Sequence, residues 1–198
     1  MSFYLRMRPA IFLDRDGTLN FDYGWIASPE KIELLPGAAE AVRATNQAGF
    51  LAVLITNQPV IARGECTEAE LAAIHQRLEF LLAESGARLD AIYYCPHHPD
   101  AGFRGERPEL KIRCHCRKPA PGLLEYAARD LNIDIARAWM IGDSERDLGA
   151  AAAFGIPAAL VASNQQAFKG DVKSAEAFRA PSVLEAVRRI LKNDLSSC

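Results

Sequence analysis

Two aspartates that stand two positions apart are the first residues in the sequence whose types and spacing suggest chemistry. Asp14 and Asp16 follow the apolar segment 10–13, which is predicted to be a strand. Side chains two positions apart point to the same side of a strand, so the two carboxylates would lie close together. Neighbouring carboxylates repel each other unless a cation lies between them or one keeps its proton. The pair therefore predicts a Mg²⁺ site of hard oxygen ligands, with a simple turn as the alternative.

Polar side chains also follow two other predicted strands. Thr56, Asn57 and Gln58 come after the apolar run 50–55, and Asp143 comes after the run 138–141. The hydroxyl and the two amides are uncharged groups that can hold phosphoryl oxygens. A polar turn or a helix N-cap would explain each group taken alone. Three strand ends that carry carboxylate, hydroxyl and carboxylate are harder to explain as three unrelated turns.

A third group of candidates is a cluster of cysteine and histidine. Three of the five cysteines lie between positions 95 and 116, together with three of the four histidines. Three thiolates and one imidazole suit a closed tetrahedral Zn²⁺ site of the structural kind. The C-x-H spacing favours His97 as the fourth ligand, and His98 and His115 compete for that place. The three expected thiolate ligands are Cys95, Cys114 and Cys116.

Bound zinc would also explain the region 95–119, which lacks a periodic pattern and is too long for an idle connection. Buried free cysteines beside incidental histidines are the alternative interpretation. Cys66 and Cys198 stand outside the cluster and are expected to have no part in it.

The elements that must position these residues alternate along the chain. Such alternation predicts an open parallel α/β sheet with helices on both faces, and ligands of such sheets bind at the carboxyl ends of the strands. The predicted strands are 10–13, 50–55, 89–94, 138–141 and 156–161, and the predicted helices are 36–48, 67–82, 121–131, 145–154 and 181–191.

Composition limits the class of protein. The 198 residues fit a single domain over positions 1–198, and 49% hydrophobic with 24% charged residues is typical of a soluble globular protein. The net charge of −2 does not favour a nucleic-acid or membrane partner. We find no transmembrane pattern and no export signal, so we expect a cytoplasmic monomer that binds a small molecule.

The combined motifs resemble those of the haloacid dehalogenase (HAD) phosphatases. They are D-x-D-G-T from position 14, T-N at 56, K-P at 118 and G-D-x-x-x-D from 142. The resemblance implies a Rossmann-like fold, with Asp14 as the nucleophile and Asp16 as general acid and base. It also implies that Thr56 and Lys118 hold the transferred phosphoryl group. Asp14, Asp143 and the backbone carbonyl of Asp16 would then bind Mg²⁺.

The motif C-P-H-H-P with C-x-C-R-K-P narrows the resemblance to HAD phosphatases that carry zinc and lack a cap domain. These include phosphatases of heptose 1,7-bisphosphate and of histidinol phosphate. Segments 20–26 and 61–68 look like those of the heptose group. We therefore expect removal of the 7-phosphate of D-glycero-D-manno-heptose 1,7-bisphosphate, with histidinol phosphate or another small phosphomonoester as the alternative.

Without a cap, the loops 22–26 and 95–119 are expected to shape the pocket. Arg117 precedes Lys118 and is well placed for a second anionic group. Pro59-Val60 departs from the family pattern, since Pro59 has no N–H to donate to phosphate. The spacer 98–113 is also long. The expected substrate-binding residues are Asp22, Tyr23, Gly24, Trp25, Asn57, Gln58 and Arg117.

Two hypotheses from other classes compete with the phosphatase. A zinc-containing binding module that has lost catalysis would not need the complete set of acidic, hydroxyl and lysine residues at the strand ends. A nucleic-acid end-repair enzyme would be expected to carry a basic stripe, and the sequence has none.

Overall fold

A single parallel sheet organises the chain. The structure is a computed structural model, and it describes residues 7–162 and 177–195. Six strands lie in the order β3-β2-β1-β4-β5-β6, and every neighbouring pair is parallel. This is the predicted α/β class with the Rossmann-like strand order. The strands are β1 Arg8–Leu13, β2 Leu51–Asn57, β3 Ala91–Cys95, β4 Ile133–Gly142, β5 Ala158–Val161 and β6 Ala177–Ala180.

Helices cover both faces of the sheet, as predicted. They are α1 Ala38–Gln47, α2 Glu68–Ala83, α3 Gly122–Asp130, α4 Glu145–Phe154 and α5 Val183–Leu195. Alternate residues of β1 belong to different cores: Ile11 and Leu13 pack with α1, α2 and α5, while Ala10 and Phe12 pack with α3 and α4. The strand is therefore buried on both sides, which explains why it reads as a continuous apolar run.

Some boundaries differ from the prediction. Strand β4 begins at Ile133, five residues before the predicted start, and Ile133 pairs with Arg8 of β1. Most of the added residues are exposed, so they form no apolar run from which a strand could be predicted. Strand β6 was not predicted, because four residues with the pattern Ala-Phe-Arg-Ala carry little signal. Helix α5 continues to Leu195, so the polar tail is shorter than expected, and Cys198 lies outside the described residues.

Connections at the carboxyl end of the sheet leave the site open. Within residues 7–162, the segments after β1 and β2 contain turns and one short 3₁₀ helix at Pro29–Lys31, and no cap domain. Segment 98–113 packs on the turn 59–65: the backbone N–H of Arg107 donates to the carbonyl of Ala62 at 3.0 Å. Among the described residues, no helix combines the length and apolar character that a membrane span requires.

Candidate active site and cysteine cluster

A cavity of about 290 Å³ lies where the carboxyl ends of β1, β2 and β4 meet. The predicted residues that the structure brings together along its wall are Asp14, Asp16, Asp22, Gly24, Trp25, Thr56, Asn57, Gln58, Arg117, Lys118 and Asp143. Tyr23 does not line this cavity; it is 55% exposed, and its hydroxyl donates to Glu33 at 2.7 Å. The strand-end argument therefore predicted the location of this cavity.

Lys118 is the central cation of the cavity floor. Its ammonium group lies 2.8 Å from a carboxylate oxygen of Asp14 and 2.6 Å from one of Asp147, and it donates to the carbonyl of Ile55 at 2.8 Å. These three acceptors account for all three N–H donors of the ammonium group. Burial lowers the pKa of Lys118, but the two carboxylates outweigh burial and raise it above the usual value. Lys118 is therefore a fixed positive charge beside Asp14.

Asp147 is a site residue that the sequence-based prediction omitted, although it closes the G-D-x-x-x-D motif. One carboxylate oxygen contacts Lys118, and the other accepts from the backbone N–H and the hydroxyl of Ser144 at 3.1 and 2.7 Å. A Cβ at position 142 would lie 2.2 Å from the carboxyl carbon of Asp147, so Gly142 leaves room for this packing. The motif thus encodes a helix cap that also anchors the lysine.

Asn57 and Gln58 hold other site residues in place. The amide of Asn57 forms two hydrogen bonds with the backbone of Lys118, donating to its carbonyl and accepting from its N–H, both at 3.0 Å. The amide nitrogen of Gln58 donates to Asp16 at 3.0 Å and to the hydroxyl oxygen of Thr56 at 2.8 Å. Since Thr56 accepts this bond, its own O–H remains a donor for another oxygen.

Asp16 forms a bidentate pair with its neighbour Arg15. The guanidinium donates to both carboxylate oxygens, at 3.0 and 2.9 Å, and Asn20 and Gln58 add further donors. Burial alone would raise the pKa of Asp16, but the charge of Arg15 and these hydrogen bonds hold it below its usual value. Asp16 is therefore an ionised, firmly oriented carboxylate in this arrangement.

Asp14 has the opposite electrostatic environment. Burial is the largest influence and, with the nearby charges of Asp147 and Asp143, raises the pKa of Asp14 to about 7 despite the attraction of Lys118. One oxygen of the carboxylate accepts both the backbone N–H of Arg15, at 2.7 Å, and the ammonium of Lys118. The pKa order of the two carboxylates in this arrangement is therefore the reverse of an ionised nucleophile beside a protonated acid, and positive charge brought to Asp14 would shift it toward the ionised form.

The acidic side chains are close enough to share a cation. Carboxylate oxygens of Asp14, Asp143 and Asp147 lie within 4.8 Å of one another, and all three residues are buried. Hard oxygen donors in this arrangement fit a divalent cation such as Mg²⁺. Asp147 already serves Lys118 and Ser144, so Asp14 and Asp143 are the better candidates for direct ligands.

The predicted cysteine cluster also forms. The sulfur atoms of Cys95, Cys114 and Cys116 lie 3.3 to 3.5 Å apart, and Nδ1 of His97 lies 3.3 Å from Cys116 and 3.7 Å from Cys95. A disulfide requires about 2.05 Å between sulfurs, so these thiols are not paired. A tetrahedral ion with metal–sulfur bonds of about 2.3 Å would separate its sulfur ligands by about 3.8 Å, which is close to the spacing here.

The pKa values of the thiols in the cluster are shifted in opposite directions. Hydrogen bonding from Cys95 lowers the pKa of Cys116 to about 5, and that shared bond together with burial raises the pKa of Cys95. His98 and His115, the competing candidates, are not in the cluster. His115 lies 2.7 Å from a carboxylate oxygen of Glu125.

The outer wall of the cavity is made by three loops. Asp22 accepts the backbone N–H of Gly24 at 2.9 Å, and Trp25 beside it is 48% exposed. Arg117 donates to the carbonyl of His97 at 3.1 Å, so the cysteine cluster and the cavity wall are directly connected. Burial lowers the pKa of Arg117, which stays far above neutral for a guanidinium.

Pro59 and Val60 line the cavity as well, and the carbonyl of Pro59 accepts the backbone N–H of Arg63. Pro59, which departs from the family pattern, therefore has no backbone N–H to donate to a phosphate, and its carbonyl accepts within the turn.

Fold and site together define a HAD-like hydrolase: a parallel sheet whose strand ends carry paired aspartates, a threonine and a third carboxylate, with a lysine from the loop before α3. A family model described as HAD-hydrolase-like matches residues 115–189. The D,D-heptose 1,7-bisphosphate phosphatase of B. bronchiseptica, solved with magnesium and phosphate, superposes with a TM-score of 0.78 at 35% identity, covering 93% of this chain and 99% of that one.

Two sequence relatives are named D-glycero-beta-D-manno-heptose-1,7-bisphosphate 7-phosphatase. That of Yersinia pestis is 45% identical over 148 residues, which cover 75% of this chain and 77% of the relative. That of Escherichia coli K12 is 44% identical over 145 residues, which cover 73% of this chain and 74% of the relative. The chain belongs to the family of these heptose bisphosphate phosphatases within the HAD-like hydrolases.

Proposed function

We propose that this protein is a phosphatase that removes the 7-phosphate of D-glycero-β-D-manno-heptose 1,7-bisphosphate and leaves heptose 1-phosphate. The observation that carries the proposal is the group of arginines that lines the cavity. Three arginines, Arg63, Arg117 and Arg146, line the same cavity as Asp14 and Lys118. A bisphosphate offers a second anion to these arginines, whereas histidinol phosphate has an ammonium group and no second anion for them to bind.

Asp14 is the nucleophile in this proposal. A carboxylate oxygen of Asp14 attacks phosphorus, the bond from phosphorus to the sugar oxygen breaks, and an aspartyl-phosphate forms. Like charges oppose this attack, and Lys118, which lies 2.8 Å from Asp14, offsets that repulsion. The hydroxyl of Thr56 is left to donate to a phosphoryl oxygen, because Gln58 already occupies its acceptor position.

Asp16 moves the protons. Asp16 is ionised in the arrangement described above, so it must first take up a proton, which it then gives to the departing sugar oxygen. In the second step it takes a proton from the water that attacks phosphorus, the bond from phosphorus to Asp14 breaks, and inorganic phosphate is released. In the described structure both carboxylate oxygens of Asp16 accept from Arg15. One of these bonds must be exchanged for a bond to the sugar oxygen during the reaction.

Asp14, Asp143 and the backbone carbonyl of Asp16 are the residues proposed to hold Mg²⁺. When bound there, Mg²⁺ would supply positive charge to the phosphoryl oxygens. Asp147 lies 2.6 Å from the ammonium group of Lys118 and helps to fix its position beside Asp14.

Cys95, His97, Cys114 and Cys116 are proposed to bind one structural Zn²⁺. The four donors fit a closed tetrahedral site. Arg117, which follows Cys116, donates a hydrogen bond to the backbone carbonyl of His97. Zinc at this position would stiffen the loop that carries Arg117 and Lys118. Arg117, with Asp22, Gly24 and Trp25, is then placed to contact the part of the substrate that is not transferred.

A phosphate-release assay tests the proposal. Purified protein with Mg²⁺ is offered heptose 1,7-bisphosphate, fructose 1,6-bisphosphate, histidinol phosphate, a nucleoside monophosphate and an aryl phosphate. We expect the highest kcat/KM with the heptose, one phosphate released per molecule, and no turnover with the Asp14→Asn variant. A higher kcat/KM with histidinol phosphate would contradict the substrate assignment, and activity of purified Asp14→Asn would contradict the mechanism.

A further inference from the structure

His98 is a buried histidine that neither the cysteine cluster nor the proposed chemistry uses. It is 8% exposed, lines the cavity, and lies outside the group of metal-ligating side chains. A buried histidine on a cavity wall must place each of its two ring nitrogens against a suitable partner. The identity of those partners decides what the ring offers to the cavity.

The backbone decides which ring nitrogen of His98 carries the hydrogen. The N–H of Asp100 points at Nδ1 at 3.1 Å, and a backbone N–H can only donate. Nδ1 is therefore an acceptor, and the hydrogen sits on Nε2. The carboxylate of Asp100 is 3.7 Å from Nδ1, beyond hydrogen-bonding distance.

The neighbour of Nε2 is a second donor. A terminal guanidinium nitrogen of Arg63 lies 3.4 Å from Nε2 of His98. Arginine has N–H donors and no acceptor, so the two groups cannot satisfy each other once Nδ1 accepts from Asp100. The Nε nitrogen of Arg63 is also buried without a hydrogen-bond partner. Donors that converge without an acceptor between them indicate the place of an oxygen from a ligand.

Aromatic rings hold Arg63 in this position. Its guanidinium carbon lies 4.3 Å from the ring centre of Trp25 and 4.7 Å from that of Phe103, within the range of cation–π contacts. The two ring planes lie 80° apart, so only one of them can stack flat on the planar guanidinium, and N–H groups that do not face a ring remain for in-plane hydrogen bonds. Phe103 comes from the long spacer, so the spacer has a function: it positions Arg63.

We propose that Arg63 and His98 together bind one acceptor oxygen of the substrate, at the end that is not transferred. The proposal rests on the proposed function and adds residues to it. Both side chains come from loops beyond the ends of β2 and β3, whereas Thr56, near the end of β2, and Lys118, which is ion-paired to Asp14, are proposed to face the reacting phosphoryl group. The oxygen belongs either to the second phosphate or to a sugar hydroxyl, and both are acceptors.

Two substitutions of His98 separate binding from loop structure. His98→Asn can keep an acceptor for the N–H of Asp100, but it does not reach the position of Nε2. His98→Gln places an amide N–H near Nε2. If His98 binds substrate, His98→Asn should lower kcat/KM for heptose 1,7-bisphosphate by about 10- to 100-fold, mostly by raising KM. His98→Gln should then show the smaller loss of kcat/KM. If His98 only supports the loop, this order should be reversed.

Arg63→Met provides a second test, because methionine keeps an apolar side chain against the rings of Trp25 and Phe103 and removes the guanidinium N–H donors. We expect a loss of similar size for the bisphosphate and unchanged kcat/KM for an aryl phosphate. Arg104→Ala is the matched control, since Arg104 is an exposed arginine of the spacer 98–113 and does not line the cavity. Metal content and thermal midpoint should match those of the wild type in every variant that is compared.

Heptose 7-phosphate distinguishes the two sources of the oxygen. A loss confined to the bisphosphate assigns the oxygen to the second phosphate, and a loss with both sugars assigns it to a hydroxyl. Equal losses on the aryl phosphate, or no loss in His98→Asn and Arg63→Met, would overturn the inference. If the wild type prefers a different phosphomonoester, the proposed function fails, and the same variants are then compared on that substrate against the aryl phosphate.

Discussion

Replacing Gly64 by alanine should displace the long spacer from the turn 59–65. A Cβ on Gly64 would lie 1.8 Å from the carbonyl oxygen of Gly105, and the obstacle is backbone, which cannot rotate away. Gly64 also has a φ of +73°, in the left-handed region that side chains with a Cβ avoid. Gly86→Ala is the matched control: its φ is +70°, and nothing lies within 4 Å of a Cβ placed there.

The two variants share the backbone cost, but only Gly64→Ala should break interactions elsewhere in the molecule. Alanine in the left-handed region costs about 1 kcal/mol at either position. Moving the spacer away from Gly64 also breaks the hydrogen bond from Arg107 to Ala62, worth about 1 kcal/mol, and the cation–π contact of Phe103 with Arg63, worth about 1 kcal/mol more. We therefore expect Gly64→Ala to lower the free energy of unfolding by about 3 kcal/mol and the control by about 1 kcal/mol.

Thermal unfolding and kinetics measure the difference. For a chain of this length each kcal/mol corresponds to about 2–4 °C, so the midpoint should fall by about 6–12 °C for Gly64→Ala and about 2–4 °C for the control. The KM for heptose 1,7-bisphosphate should rise in Gly64→Ala alone, because Arg63 loses one of its two supporting rings. Equal midpoints and equal KM values in the two variants would refute the packing argument.

Three further predictions concern the chemistry. Asp16→Asn should lower kcat by about 10²- to 10⁴-fold in steady-state assays with Mg²⁺, the range for loss of a general acid and base, and near-normal kcat would contradict its role. Elemental analysis should find about one zinc per chain in protein that was never exposed to added zinc. Cys114→Ser should lose that metal, and its 95–119 loop should become more sensitive to protease. A metal-free wild type with a protease-resistant loop would refute this prediction. Arg117→Ala should lower kcat/KM for the bisphosphate by about 10- to 150-fold and spare an aryl phosphate, whereas equal losses would assign Arg117 to the chemical step.

The location of the site could be predicted from the sequence because parallel strands end at one edge of a sheet. Apolar runs identified β1, β2 and the end of β4, and the polar residues after them had to meet. The cysteine and histidine spacing identified a metal-ligating cluster in the same way, and His97 was favoured over His98 and His115. These inferences depend on local periodicity and residue type, which are properties of neighbouring positions.

The internal connections of the site could not be predicted in this way. Asn57 clamps the backbone of Lys118 across 61 positions, and Lys118 reaches Asp147 across 29. Such partners are chosen by packing, since many polar residues are available and the sequence does not say which pairs come within 3 Å. For the same reason Gln58, expected to bind substrate, lies between Asp16 and Thr56, and Tyr23 points away from the cavity.

By itself, the sequence determined the α/β class, the strand ends that carry the chemistry and the four donors of the cysteine cluster, because each follows from a short periodic or spaced pattern. Tertiary structure alone decided which donors and acceptors are already satisfied. Those pairings made Asp147 part of the site, gave Asp14 and Asp16 opposite pKa shifts, and left Arg63 and His98 facing each other without an acceptor. Hydrogen bonds need atoms within about 3 Å, and only the folded chain brings distant positions that close.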